Sequence, residues 1–489
     1  MTVRRDLYLG VDVGTTGLKV AVVDGGGACR ATGRAEYALD APRDGWAEQP
    51  AEAWWLAFEA ALSQALASLD GRRIAALSVV GQGPTAVAVD KEGRPLRPAI
   101  TWADRRSAEE AAWLSRALGD TEVNIEFEVL PRILWIRKHE PEVMARVRWF
   151  FQPFDYLAFA LTGEPVTVWP LPSLPPWTDS ALDAAGLDRS LFPERSLPPG
   201  QVIGPVRPQL ASRLGLSPDA LVVSGTVDAF SHWVGVDLAQ QGRLSDIGGT
   251  SEGVSLASDE RLHDPQWRVF PLPNLFGRGW IVGGAMSNSG GLLDWAVGIL
   301  RDRDISRASL LDEIERIPPG SGGVLALPYF QGERTPIYDA AARGCFLGVT
   351  MKHGVPHLAR ALLEGVAFGL RQIMEILDEL GGHTSEITVS GGTAHAAIWN
   401  RIKADVTAKP VRVPVMKDSG VLGAAILARS AAAGIPLTEA SREMVAYAEL
   451  IQPDPKRVAE YDRIFPQFLE LYEEVKDAFQ RLATLTLSS

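Results

Sequence analysis

Asp12-Val13-Gly14-Thr15-Thr16 and Asp246-Ile247-Gly248-Gly249-Thr250 repeat one pattern, once in each half of the chain. The first ends the apolar run Leu7-Tyr8-Leu9-Gly10-Val11, and the second follows Arg243-Leu244. Each reads as a strand entering a tight glycine turn with hydroxyls at its tip. Glycine lets the backbone approach an anion closely and take positive φ. The free amides and hydroxyls of such a turn make a concave anion site. Either turn alone reads equally well as an ordinary hairpin. The matched pair predicts two related domains gripping one polyphosphate.

The elements around these turns are legible. Residues 7–11 and 18–23 are predicted strands, and Asp24-Gly25-Gly26-Gly27 turns the chain toward a third that leads to Tyr37. This is a meander rather than a βαβ unit, and Gly14 to Lys19 lacks the spacing of a nucleotide P-loop. Lys19 lies beyond the turn, where a solvated side chain explains it as well as a phosphate contact does. A helix is predicted from about Ala51 to Leu69, with Trp55, Phe58, Leu62 and Leu66 at helical spacing. Strands follow at Ile74–Val80 and Ala86–Val89, split by Gly81-Gln82-Gly83-Pro84, and the chain extends again over Ala99–Trp102. Residues 170–205 are proline-rich and read as irregular surface chain. Leu221-Val222-Val223 is a predicted buried strand, with Asp228 at a helix start beyond it. Pro356–Leu380 is the clearest helix, stopped by Gly381-Gly382. Ile387–Ser390 is a strand ending in Gly391-Gly392, and the tail from about Thr438 is mostly helical. Strand meander, helix, strand, helix, strand, met twice, predicts a duplicated α/β architecture. The boundary is placed so that the domains are 1–243 and 244–489.

Composition narrows the function. The net charge of -12 argues against a nucleic-acid or anionic-membrane partner. Cys29 and Cys345 are the only cysteines, so no disulfide framework or CxxC motif exists. His353 and His357 are four apart, but Gly354 and Pro356 keep them off one regular helix face, and no zinc site is expected. The apolar stretch after Arg5 is too short for a signal peptide, no apolar run reaches ~18 residues, and a cytoplasmic protein is expected.

Taken in order, the motifs resemble the FGGY carbohydrate kinases of the sugar kinase–actin–heat-shock superfamily. The resemblance rests on Asp12-x-Gly-Thr-Thr, on Gly93 to Arg106 with Thr101-Trp102-Ala103-Asp104, and on Leu134-Trp135-Ile136. It continues through Asp155-Tyr156-Leu157 with Leu161-Thr162-Gly163, then Gly249-Thr250-Ser251 and Arg360 to Phe368. Gly391-Gly392 through Trp399, Ala404 and Asp405 follows, and Leu422-Gly423-Ala424-Ala425 completes it. It implies two duplicated ribonuclease-H-like (actin-like ATPase) domains with a cleft between them, closing on substrate. It also implies ATP and Mg²⁺ as cofactors and a small sugar or polyol as acceptor. A homodimer is the family-based expectation.

Residue roles follow. Gly14, Thr15 and Thr16, with Gly249, Thr250 and Ser251, are the phosphate contacts. Gly391 and Gly392 let adenine or ribose lie on bare backbone, and the resemblance adds Gly290. Asp12 faces the phosphates, where a carboxylate is repelled unless Mg²⁺ intervenes, so it is assigned as a magnesium ligand through water. Aspartate before glycine also caps turns, and for Asp246 that reading is favoured. Asp228 is the expected general base that takes the proton from the attacking hydroxyl, although aspartate at a strand-to-helix junction also serves as an N-cap. For the sugar, Trp102 can stack on a polyol face, while Gln82, Thr85 and Asp104 can bind hydroxyls. Asp104-Arg105-Arg106 reads alternatively as a local ion cluster.

Departures from the family pattern matter too. Gly83-Pro84 stands where glycerol kinases carry Arg-Glu and xylulokinases Met-His. Arg132 replaces a usual lysine, Ala229 follows the base where Asn or Gln is common, and Asp294 and Ala396 depart near the nucleotide segments. A ketopentose such as xylulose is the family default. The wall formed by Gly83, Pro84 and Ala229 instead predicts a sugar with an apolar or deoxy edge, or one bulky enough to reach Arg132 or Trp177. The same departures leave open a catalytically weak sugar- or nucleotide-binding regulator on a kinase scaffold. A chaperone-type ATPase is a third reading, weakened by the sugar-site segment.

Overall fold

The computed structural model describes residues 5–119, 129–299 and 306–486. These form two compact units. The first takes the chain up to Asp237, Leu275–Gly277 and Ser419–Val445; the second takes Leu238–Asn274, Arg278–Asp418 and Ala446–Ser489. A single cut at 243/244 therefore does not follow the packing, because Ser419–Val445 returns to the first unit.

The first unit is built on a six-stranded sheet ordered Val202–Pro205, Leu221–Val223, Ile74–Gly81, Leu7–Val13, Gly17–Asp24, Cys29–Glu36. Leu7–Val13 runs antiparallel to Gly17–Asp24 on one side and parallel to Ile74–Gly81 on the other. It is a central strand, and Leu7, Leu9, Val11 and Val13 are all buried. The second unit repeats this arrangement in a seven-stranded sheet. Arg243–Gly248 is antiparallel to Glu252–Ser258 and parallel to Glu386–Gly391. In both units, then, the glycine turn joins a central strand to its antiparallel neighbour.

Helices cover these sheets. Ala51–Leu66 buries Trp54, Ala57, Phe58, Ala61 and Leu62. Its buried stripe includes Trp54 rather than the expected Trp55, because the Trp54 indole N–H is fixed by Gln49 Oε1 at 3.1 Å. Val355–Glu379 buries one long face including Leu362, Val366, Phe368, Ile373 and Leu377. Gly381, at φ 89°, ends it in the left-handed region that favours glycine. The helix Ser419–Ala433 lies against Leu7–Val13 so closely that a Cβ on Gly10 would stand 2.0 Å from the Val421 carbonyl oxygen. A Cβ on Gly423 would likewise stand 2.0 Å from the Ser231 carbonyl oxygen. Backbone-to-backbone packing on two sides is why this segment belongs to the first unit.

One expectation needs correction, and a second, the mostly helical tail, holds with one short strand added. The proline-rich stretch is not simply surface chain: it holds the helix Asp179–Ala185 and buries Leu171, Leu182, Phe192 and Ile203. Ile133, Phe150 and Leu182 share one apolar cluster. The tail is helical over Leu437–Met444 and Pro455–Thr486, but between them Tyr447–Ile451 forms an edge strand on Val411–Pro414.

Candidate active site

In the first unit, the Gly14-Thr15-Thr16 turn is closed by the Gly14 N–H donating to Gly17 O at 3.0 Å and is otherwise held mainly through its carbonyls. Gly14 O accepts from the Tyr37 hydroxyl at 2.6 Å and from Gln82 Nε2 at 3.4 Å. Thr15 O accepts from Gln49 Nε2 at 2.6 Å, and Thr16 O from the Tyr37 backbone N–H at 3.3 Å. Neither the Thr15 nor the Thr16 N–H has an acceptor among the described residues. The second unit does the same with different residues. Gly249 O accepts from Gly290 N–H at 2.8 Å, Thr250 O from Ser289 N–H at 2.9 Å and Ser251 O from Gly249 N–H at 2.8 Å. The Thr250 and Ser251 N–H groups have no acceptor among the described residues. Each turn thus ties down its acceptors and leaves donors for an anion.

Gly290 supports the second turn rather than standing apart from it. A Cβ there would lie 2.5 Å from the Gly249 carbonyl oxygen. Gly391, at φ 76°, closes Glu386–Gly391, and a Cβ on it would lie 2.5 Å from the Gly248 carbonyl oxygen. Gly392 opens the short turn Gly392–His395. The three glycines therefore converge on the Gly248-Gly249 end of the second loop.

Behind that loop lies a cluster that sequence reasoning missed. Lys403, on Ala397–Thr407, is buried and bonds Asp246 at 2.6 Å as well as Glu252. Glu252 also accepts from the Ser289 hydroxyl. Asp246 is accordingly an ion-pair partner, not the turn cap expected for it. Burial and the neighbouring Glu252 charge raise its pKa well above the usual carboxylate range. Glu252 is held below its usual value despite burial, because Lys403 stands beside it. A buried lysine needs such partners, and the signal available in advance was only an apolar-face position occupied by Lys403.

Asp228 begins the helix Asp228–Gly235, one residue after Val227, which bridges Gly81. Its half-buried carboxyl accepts from the Ala229 N–H at 2.7 Å. Burial pushes its pKa up to about 6, against that bond. Asp12 ends the central strand of the same sheet. The charges of Asp12 and Asp228, after burial itself, raise the pKa of the Tyr37 phenol. Both carboxylates thus act on the hydroxyl that holds Gly14. The helix carrying Asp228 is pinned by His232 Nδ1 to Ser419 Oγ at 2.7 Å and by Ser231 Oγ to Gly420 O at 2.8 Å.

The expected sugar contacts divide. Trp102 is half-exposed, and its indole N–H donates to Thr15 Oγ1 at 3.0 Å, so its ring stands beside the first glycine turn. Arg132 steadies it by donating to the Thr101 and Trp102 carbonyls at 3.1 and 3.0 Å. Burial lowers the Arg132 pKa to about 10, against the favourable charge of Asp104. Asp104 itself is saturated. It accepts from Ala47 N–H at 2.6 Å, Arg106 N–H at 2.9 Å and the Arg106 guanidinium at 2.6 Å, and its side chain is closed to solvent. The geometry here is the ion cluster, with Arg106 3.5 Å above the Trp46 ring. Gln82 is spent on Gln49 Oε1 at 2.6 Å and on Gly14, although its Oε1 is buried without a partner. Thr85 is fully buried with its hydroxyl unpaired. Gly83 and Pro84, joined by a cis peptide, do not form a bare wall. A Cβ on Gly83 would lie 2.9 Å from Gln152 Oε1 and 3.2 Å from Val227 Cγ2.

Asp294 is exposed and pairs with Arg307 at 3.2 Å. Thr250 is exposed, its backbone bond to Ser289 does not involve the side chain, and its hydroxyl has no partner among the described residues, so Thr250→Val should leave folding intact while weakening ATP. The expected loss, about 1–3 kcal/mol, is checked by calorimetry, with sugar affinity as the control.

Comparison with known proteins bears directly on these observations. Residues 7–235 match the FGGY family of carbohydrate kinases, N-terminal domain, and residues 245–432 match its C-terminal domain. Xylulose kinase of Lactococcus lactis subsp. lactis (strain IL1403) is 30% identical, over 97% of this chain and 98% of its own. Gluconokinase of Bacillus subtilis (strain 168) is 27% identical, over 97% of each. Among solved structures, a gluconate kinase from Lactobacillus acidophilus superposes with TM-score 0.85 at 26% identity, covering 97% of this chain and 100% of that one. A kinase from Brucella ovis, described as a xyloylose kinase, gives 0.84 at 27% identity, covering 96% and 100%. With both family domains matched in order across a duplicated α/β fold, this chain belongs to the FGGY family of carbohydrate kinases.

Proposed function

We propose that this kinase transfers the γ-phosphoryl group of ATP to a hydroxyl of a small sugar or polyol, with Asp228 as general base. The observation that carries the reading is the pair of turns whose carbonyls are tied inward while their amides stay unpaired. Such amides suit phosphate oxygens, and phosphoryl transfer asks a protein mainly for positioning and charge stabilisation. The Asp228 carboxylate takes the hydroxyl proton as the oxygen forms its bond to the γ-phosphorus. The bond to the bridging oxygen breaks, and ADP leaves. A pKa near 6 keeps the carboxylate ionised at neutral pH yet basic enough to accept that proton.

Asp12 is the residue that would hold Mg²⁺. No group of three or more His, Cys, Asp or Glu side chains able to hold a metal occurs among the described residues. That donor set suits a Mg²⁺ bound through one carboxylate, water and phosphate oxygens rather than in a protein cage. When bound, the ion neutralises phosphate charge. Thr15, Thr16, Thr250 and Ser251 bind the phosphates, Gly391 and Gly392 give the nucleotide its backbone surface, and Trp102 offers a stacking face.

The relatives act on two acceptor types, xylulose and gluconate, and identity does not separate them strongly. A ketopentose such as xylulose remains the family default. With no side-chain donor on Gly83 or Pro84, where xylulokinases carry Met-His and glycerol kinases Arg-Glu, this wall favours a different sugar over D-xylulose and glycerol even with Gln152 and Val227 packed against Gly83. An ADP-release assay across pentuloses, polyols and sugar acids tests both statements. Sugar-dependent ADP release is expected, with D-xylulose below the best substrate. Highest kcat/KM on D-xylulose would overturn the wall argument, and no sugar-stimulated ADP release would overturn the kinase assignment of the site.

A further inference from the structure

Resting on the reading of this site as the sugar-kinase centre, we infer that Ser289 is a positioning residue for the second phosphate turn. Its hydroxyl is anchored on Glu252, and its backbone N–H thereby sets the Thr250–Ser251 peptide that faces phosphate. A trans peptide is planar, with its C=O and its N–H pointing to opposite sides. Holding a turn carbonyl from behind therefore aims the next N–H forward. Ser289 N–H holds Thr250 O at 2.9 Å, which aims the Ser251 N–H. Gly290 N–H holds Gly249 O at 2.8 Å, which aims the Thr250 N–H. These are the two amides of this turn with no acceptor among the described residues.

What fixes Ser289 is a side-chain bond into the buried ion cluster. Ser289 stands between the strand Trp280–Met286 and the helix Gly290–Ile299. It is fully buried, and its hydroxyl donates to Glu252. Glu252 lies opposite Gly248 in the strand pairing, at the foot of the turn. The other Glu252 carboxylate oxygen accepts from Lys403, which also bonds Asp246 on the facing strand at 2.6 Å. Lys403 thus clamps both strands of the turn, and Ser289 carries that clamp to its tip.

The helix start leaves little slack around Thr250. A Cβ on Gly291 would lie 3.3 Å from Thr250 Cγ2, and the Asn288 amide donates to Gly332 O at 3.1 Å. Glu252, Ser289 and Lys403 lie behind the turn and act through its amides. A misplacement on the order of 1 Å at such donors can cost on the order of 10²-fold in rate. A cluster that served stability alone would weaken ATP and sugar alike.

The test is Ser289→Ala in the full chain, with Glu252→Ala as the second variant. Ser289→Ala keeps the backbone N–H and removes only the hydroxyl. Glu252→Ala leaves Lys403 paired with Asp246. In each, ADP affinity by calorimetry and kcat/KM for ATP should fall about 5–50-fold, while the sugar KM at saturating ATP stays within about twofold. The double variant should lose no more than about twofold beyond Glu252→Ala, since both changes break one bond. Losses that add, equal losses for ATP and sugar, or ADP affinity within about twofold of the unaltered enzyme overturn the role of Ser289. Glu252→Ala decides the matter by itself if Ser289→Ala does not fold by its melting curve. Sugar-dependent ADP release by the unaltered enzyme is the separate control: its absence overturns the kinase reading instead.

Discussion

Asp228→Ala should abolish sugar phosphorylation while leaving nucleotide binding close to that of the unaltered enzyme. A positioned base contributes roughly 10²–10⁴-fold. Nothing else described beside Asp228 replaces it: Ala229 supplies only its backbone N–H, and Tyr37 keeps its proton because burial and two nearby carboxylates raise its pKa. The same residue predicts the acid limb of the rate profile. Burial raises the Asp228 pKa to about 6, so the base form is lost as the pH falls below that value. Activity should then decline about tenfold per pH unit in the unaltered enzyme, and any residual activity of Asp228→Ala should lack that limb. Saturating steady-state assays from pH 5 to 8 measure both, and turnover of the variant within tenfold of wild type rejects Asp228 as the base.

Lys403→Met should be the most destabilising single change in the second unit. It strips the cation from Asp246 and Glu252, both fully buried. Breaking a buried pair from one side costs about 3–5 kcal/mol, since the remaining charge is uncompensated. Denaturant unfolding should show this as a lower midpoint. The deficit should depend on pH in a definite direction. With Lys403 present, Glu252 is held below its usual pKa, so its pairing stabilises the fold above the unfolded carboxyl pKa and is lost as pH falls. Without the lysine, burial alone acts on Glu252 and raises its pKa, a penalty that shrinks as pH falls toward the unfolded value. The gap between variant and wild type should therefore narrow between pH 8 and 5. Adding Glu252→Gln should recover part of the loss. A variant as stable as wild type at pH 8 would show that the cluster is not charged.

Much of the fold around the proposed site was legible in residue order. Short-range rules identify a strand, a glycine turn and a second strand, because the alternation of apolar positions and the conformational freedom of glycine act over a few residues. That is why the two strand–glycine turn–strand units, the helix that Asp228 begins and the long helix Val355–Glu379 stand where the sequence places them. Repetition of the pattern carried the two-sheet architecture, since each half contains its own central strand and antiparallel partner.

Tertiary structure decided how side chains of similar chemistry divide their labour. Asp104 and Asp228 are both aspartates near predicted helix starts, yet Asp104 is saturated by Ala47 and Arg106 while Asp228 keeps one local bond and a raised pKa. Asp246 and Asp12 occupy equivalent places in the repeat, but only Asp246 meets a buried lysine, brought in by a helix that follows much later in the chain. Gln49, Tyr37 and Gln152 carry no motif of their own. Sheet register and helix packing bring Tyr37 and Gln49 within hydrogen-bond range of the first turn and seat Gln152 against Gly83. Local propensity and periodicity determined which elements form. Which carboxylate stays available for chemistry depends on the partners and desolvation each one meets, and those are fixed only when remote parts of the chain pack together.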